Sequence, residues 1–285
     1  MASDERTLTL DPSIPPTAAQ LDEIAKADPR FHSIFALGGR TGFLGGVVDA
    51  EPTLAFPLPS APAIFLSLSY RAHRSSEKAF RLARFGDYKV TLNDDGANEA
   101  AFDFFETRVQ HAIFAFTALE AYANECIPDP FTWTTKKSRK GAPDEEVTYD
   151  REGTERFVSL PEKLDAILPN VFSVASIKGR VQWERFQNLK RLRDRLIHVK
   201  ALDSKTPLDP GGMPPEKNSV WADLYTGRKT DLSVHAHEIV MHYGGGNRTW
   251  AKKFPYSTLA EQSEEAIQRR LRNEEKRTRA TRRGR

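Results

Sequence analysis

The sequence predicts a mainly α-helical protein, and three observations carry that prediction. Residues 99–127 contain neither proline nor glycine, and their large apolar side chains recur at helical spacing. Two further amphipathic stretches, about residues 178–200 and 231–243, share that period, and Gly244, Gly245 and Gly246 close the second. Strand-like alternation is confined to the first 98 residues.

Residues 1–98 read as a small mixed α/β region. Proline and glycine are dense up to Pro62, and a short helix is expected over 17–27, after the Pro15-Pro16 start signal. The run Ala63-Ile64-Phe65-Leu66-Ser67-Leu68-Ser69-Tyr70 alternates apolar and small polar residues and is expected to be a strand. A second strand is expected over 87–93, before the turn Asp94-Asp95-Gly96. Neither Gly38-Gly39 nor Gly45-Gly46 fits a phosphate loop, since no Gly-Lys-Ser/Thr or G-x-G-x-x-G follows.

The helical domain is expected over residues 99–255. At about 100° per residue, Phe105, Val109, Ile113, Phe116 and Ile127 point within about 40° of one direction. Pro128 and Pro130 end that helix. Residues 129–158 are polar and read as a loop insertion. Ser159-Leu160-Pro161-Glu162 opens a short helix that runs to Pro169. Residues 256–285 form a basic tail, helical or disordered; from Ser257 onward nine Lys/Arg stand against five Glu. The overall formal charge is only +3, so the tail, with Arg269 and Arg270, carries the excess and is a weak candidate for holding phosphates.

Composition limits the function classes. Hydrophobic residues make up 39% and charged residues 28%, enough for a core and a solvated surface. No run approaches the ~20 apolar residues of a membrane helix. The start Met1-Ala2-Ser3-Asp4-Glu5-Arg6 has no apolar stretch of the signal-peptide kind. Cys126 is the single cysteine, which excludes an internal disulfide and a cysteine-based zinc cluster. These features predict a cytoplasmic protein.

Two sets of polar residues suggest chemistry. The run 188–198 places Arg193 and Asp194 ahead of His198, with Arg191, Arg195 and Lys200 around them. A guanidinium grips phosphate oxygens as a fork, and an imidazole is the side chain suited to proton transfer near neutral pH. On the long helix, Glu120 and Asn124 project at about 20° and 60° from Val109, inside the apolar stripe. A carboxylate on a buried face needs a cation, and Arg193 is the expected partner for Glu120.

These segments resemble the HEPN domain family. The stretch Phe116-Thr117-Ala118-Leu119-Glu120-Ala121-Tyr122-Ala123-Asn124-Glu125 looks like the family's first helix. Leu160-Pro161-Glu162-Lys163-Leu164 resembles its next element, and Trp183 through His198 resembles the helix that bears its R-x(4–6)-H motif. Arg193 matches the arginine, Asp194 the polar residue that often follows it, and His198 the histidine. The last helix, with Trp250 and Phe254-Pro255, is similar to the closing helix. The resemblance implies a HEPN-like helical bundle with Arg193 and His198 catalytic and Asp194, Glu120 and Asn124 in support. It implies an endoribonuclease that needs no metal or cofactor, acts on RNA as a homodimer and works in a toxin or antiviral defence setting with an antitoxin or activating partner. Family toxins paired with nucleotidyltransferases often carry tyrosine two positions after the histidine; Lys200 stands there in this chain.

The chemistry is intelligible from the residues. The RNA 2′-OH is a built-in nucleophile that needs a base, positive charge on the phosphate and a proton for the leaving 5′ oxygen. Positions i and i+5 lie about 140° and about 7.5 Å apart on a helix, so one Arg/His pair does not stack on one face; two copies around a two-fold axis would gather both pairs. The alternative is a non-catalytic module that binds protein or RNA. A third reading is a metal face of His235, Glu238 and His242, although their spacing with His237 is not H-E-x-x-H.

Overall fold

The computed structural model describes residues 31–37, 54–83, 95–137, 145–200, 203 and 219–255. They are mainly helical. An antiparallel pair, β1 (Phe31–Leu37) and β2 (Leu54–Pro59), precedes α1 (Ala61–Leu82) and α2 (Asp95–Glu125). A hairpin follows, β3 (Thr132–Lys137) and β4 (Glu145–Asp150), then α3 (Arg151–Phe157). Next, α4 (Leu160–Glu162) continues through a π-helical turn (Lys163–Ile167) into α5 (Leu168–Phe172). The remaining helices are α6 (Val181–Ile197), α7 (Val220–Thr226), α8 (Leu232–His242) and α9 (Thr249–Lys252).

The strand expected over 63–70 is instead the first part of α1. Ser60 at the N-cap position and Pro62 in the first turn start the helix. Its buried face includes Ala63, Leu66, Ser69, His73, Ser76 and Ala79, spaced three or four apart. Ser69, His73 and Ser76 at half of those places made the face look polar in sequence. The serines let α1 lie close against α2, and Ser69 Oγ donates to the His111 carbonyl at 2.8 Å. Ala63 and Leu66 share one core with Ala112, Phe116 and Leu119 of α2, Phe186 of α6 and Ala236 and Val240 of α8. The helix before residue 99 is therefore part of the bundle.

Residues 129–158 are not a plain loop. The β3–β4 hairpin pairs Thr132 with Asp150 through Lys137 with Glu145. Asp150 caps α3, its Oδ1 accepting the Gly153 N–H at 2.8 Å. Phe131, Trp133 and Tyr149 cover a small second core of Ile127, Val158 and Ile167. Trp133 Nε1 donates to Glu162 Oε1 at 2.8 Å, which ties the hairpin to α4. The expected helix over 17–27, the expected strand over 87–93 and the basic tail with Arg269 and Arg270 lie outside the described residues.

The long helix exists as expected and Phe116 and Ile127 of the expected stripe are buried, but the centre of its buried face lies elsewhere. Phe104, Arg108, His111, Ala112, Ala115, Leu119 and Tyr122 are buried. Their mean direction is about 100° away from the stripe through Val109. Phe105, Val109 and Ile113 are only partly buried, so Glu120 and Asn124 stand on a partly covered flank that α6 overlies. Tyrosines tie the centre together: Tyr122 Oη donates to the Tyr243 carbonyl, and Tyr243 Oη to the Leu164 carbonyl, both at 2.5 Å. Gly244 ends α8 at φ +83°, where a Cβ would come within 2.5 Å of the Phe172 ring.

Candidate nucleic-acid interface

The C-terminal end of α6 carries an open groove of about 500 Å³, lined by Gln187, Lys190, Arg191, Asp194, Arg195, His198 and Lys200. Positions 187, 190, 191, 194, 195 and 198 follow helical spacing, so one face of the helix presents them together. His198 is the C-cap residue; its N–H reaches the Asp194 carbonyl at 3.0 Å, and its exposed ring has no hydrogen-bond partner among the described residues.

The four cations of the groove are held unequally. Lys190 Nζ donates to Asp194 Oδ2 at 2.5 Å, and Arg191 to Asn188 Oδ1 at 2.6 Å. Arg195 is clamped by Asp223 and by Asp203, the latter at 3.4 Å. The Lys200 ammonium has no partner among the described residues, while its backbone N–H reaches Asp203 Oδ2 at 3.1 Å. Burial acts to raise the Asp194 carboxyl, but hydrogen bonds from Lys190 and Arg193 outweigh it and hold the group below its usual range.

Arg193 is not part of the groove lining. Its guanidinium lies 4.8 Å from the centre of the Phe116 ring and donates to Asp194 Oδ1 at 3.1 Å. Asp194 therefore meets Arg193 through its side chain and His198 only through the helix backbone. Asn124 Oδ1 accepts from Lys163 Nζ at 2.8 Å, and the same ammonium donates to the Glu155 carbonyl at 2.8 Å. Glu120 is partly buried; burial raises its carboxyl above the ordinary value, while Arg193 and Lys163 pull it down. The five expected site residues thus form two neighbouring groups: Asp194 and His198 at the groove, and Arg193, Glu120 and Asn124 on the flank of α2.

Two groups escaped the sequence reading. Lys163 is 5% exposed, and its signal was its place among Leu160, Leu164 and Ile167 on one helical face. The other is a buried polar cluster. Arg108, 1% exposed, donates to the Gly227 carbonyl at 2.8 Å, the Thr230 carbonyl at 3.4 Å and His73 Nδ1 at 3.3 Å. The His73 and His111 rings stack at 4.9 Å.

The proposed metal face is otherwise engaged. Glu238 pairs with Arg185, and His242 Nε2 contacts the Ala175 carbonyl at 2.8 Å. Among the described residues no three His, Cys, Asp or Glu side chains are grouped to hold a metal ion. Among the same residues no helix is long and apolar enough to cross a membrane. Compared with known protein families, curated proteins and solved structures, the chain matches none.

Proposed function

We propose that this protein is a metal-independent endoribonuclease of HEPN type, working as a homodimer under an antitoxin or activating partner in a toxin or antiviral setting. The observation that carries the reading is the groove that gathers His198 with Lys190, Arg191, Arg195 and Lys200. Such a groove suits a phosphodiester backbone, with an imidazole at hand for proton transfer. In the reaction the 2′ oxygen attacks phosphorus, the P–O5′ bond breaks, and a 2′,3′-cyclic phosphate and a 5′-OH form. His198 takes the 2′-OH proton, and a second acid, such as the partner copy's histidine, protonates the 5′ oxygen. The position of Arg193, outside the groove lining, supports a dimer, since a second copy can supply what one chain does not bring together.

The same position of Arg193 favours a second reading, a non-catalytic RNA- or protein-binding module in which Arg193 is a structural residue on Phe116. An assay on unstructured RNA in EDTA separates the two. Cleavage by the wild type, lost by about 100-fold or more in His198→Ala with the fold intact, supports the enzyme. Full cleavage by a folded H198A protein sinks the catalytic assignment, and RNA binding without cleavage in every variant supports the module.

A further inference from the structure

The flank of α2 carries three residues one turn apart, Phe116, Glu120 and Asn124, and the outer two have known partners. Phe116 lies under the Arg193 guanidinium at 4.8 Å, and Asn124 accepts from Lys163 at 2.8 Å. Glu120, midway between them on the same face, therefore stands between Arg193 and Lys163. Charges alternate from the interior outward: Lys163, Glu120, Arg193, Asp194, Lys190. The last two line the groove with His198.

Lys163 is fixed where a surface lysine would not be. Its ammonium is sheathed by Asn124 and the Glu155 carbonyl, in a π-helical turn, a type of bulge often found beside functional sites. Arg193 by contrast has one anionic contact, through a single N–H, and is 31% exposed. Most of its five donors have no partner among the described residues. Arg193 and Lys163 both favour the ionised form of the Glu120 carboxyl, against the larger opposing effect of burial.

We propose that Lys163 is a positioning residue that acts through Glu120 to hold the Arg193 guanidinium at the edge of the groove, ready for a phosphate. The function assigned to Arg193 rests on the nuclease reading, whereas the Lys163–Glu120–Arg193 linkage rests on the one-turn spacing of Phe116, Glu120 and Asn124 and on the partners of the outer two. The charged groups that face Glu120 are Arg193 and Asp194 from α6 and Lys163 from the π-helical turn.

The test uses the full chain, labelled with nitrogen-15 in its arginine side chains, with the Arg193 Nε–H signal identified by its loss in R193K. As pH falls, that signal is expected to move in two steps. The upper step reports Glu120, and the lower reports Asp194, which touches Arg193 directly. In Lys163→Met the upper step moves to higher pH by about half a unit or more, in K163R it stays, and in E120Q it vanishes. For RNA cleavage, K163M is expected to lower kcat about tenfold with KM within about twofold, and K163R to recover most of it. An Arg193 profile that is the same in wild type, K163M and E120Q overturns the proposal, even if the wild type cleaves RNA. The expected NMR steps with no RNA cleavage leave the linkage standing and remove the nuclease reading. If K163M does not fold, E120Q and K163R decide the matter by the same signals.

Discussion

His111 Nε2 accepts the backbone N–H of Leu232 at 2.8 Å, so a side chain in the middle of α2 caps the first turn of α8. Because Nε2 is the acceptor, the ring proton is on Nδ1, which reaches the Ser69 carbonyl at 2.8 Å. His111 is wholly buried, and burial, then Arg108 beside it, pushes its imidazole down to about 3. Burial also lowers His73.

The sign of the pH effect follows. The unfolded chain takes up a proton on His111 near the ordinary value of about 6.5, whereas the folded chain does so near 3. Between those values the unfolded state binds more protons, so stability is full above about 6.5 and falls as the solution is acidified. Each such histidine contributes at most about 1.4 kcal/mol per pH unit. Urea melts are expected to show a lower midpoint at about pH 5 than at about pH 7.5. His111→Ala should cost about 2–4 kcal/mol at neutral pH, by stranding the Leu232 N–H and leaving a cavity, and should flatten the acid dependence. An unchanged acid slope in H111A would contradict the assignment.

Arg108 is a buried cation bonded to carbonyls and to His73, with no carboxylate in contact among the described residues. Since a guanidinium cannot accept, His73 Nδ1 must be the acceptor, which leaves its proton on Nε2, 3.9 Å from Glu77. Burial lowers the guanidinium only to about 10, so it stays charged at neutral pH. Replacing it by methionine removes a costly buried charge but strands the Gly227 carbonyl, and the loss of strong bonds wins by about 1–3 kcal/mol. Arg108→Ala should cost more, because a cavity is added. In R108M the His73 imidazole should titrate at higher pH than in the wild type, read by NMR, because a neighbouring cation is gone.

The same cluster explains what was legible in the sequence and what was not. The existence of α2, α6 and α8 followed from proline-free stretches of helical period, and each is close to where the pattern placed it. The face that α2 buries did not. Arg108 and His111 sit at its centre, and Ala112, Ala115 and Ala118 contribute close packing with little apolar weight, while the larger Phe105, Val109 and Ile113 are only partly buried. Glu120 and Asn124 stand out as polar residues on the large-residue stripe, whereas Arg108 and His111 lie off that stripe. For the candidate site, the spacing of Arg193, Asp194 and His198 was visible, but their division between two sides of α6 needed Phe116, a tertiary partner. Lys163 reaches the flank only through the turn of the chain after α3, which sequence spacing does not encode.

The groove predicts an order among its cations in RNA binding. Affinity for single-stranded RNA should fall with salt at a slope near −0.7 per phosphate contact. Lys200, whose ammonium has no partner among the described residues, can meet a phosphate at little cost, so Lys200→Ala should reduce the slope by about 0.7. Lys190 must first leave Asp194, and Arg195 must leave two carboxylates, so their alanine variants should change the slope less. Fluorescence anisotropy across a salt series checks this. Equal slopes for wild type and K200A would place the RNA elsewhere.

Asp203 determines whether that groove keeps its shape. Its side chain is 3% exposed and accepts the Val220 N–H at 2.8 Å, the Lys200 N–H at 3.1 Å and an Arg195 N–H at 3.4 Å. One carboxylate thus joins the start of α7, the end of the groove and a groove cation. The Val220 N–H holds the carboxyl below its ordinary value, against the effect of burial. Its contribution to stability is therefore present above the unfolded value of about 3.9 and lost as pH falls through the lower folded value. Asp203→Asn keeps the shape but turns one acceptor into a donor facing N–H groups, and should cost about 2–3 kcal/mol near neutral pH. The loss should reach function as well: with the Lys200 backbone unanchored and Arg195 held by Asp223 alone, RNA affinity should drop more in D203N than in K200A, although D203N removes a negative charge. If charge alone governed binding, D203N would bind RNA more tightly than the wild type. The direction of that change, measured in the same salt series under conditions where D203N is folded, decides between an organised groove and a diffuse basic surface.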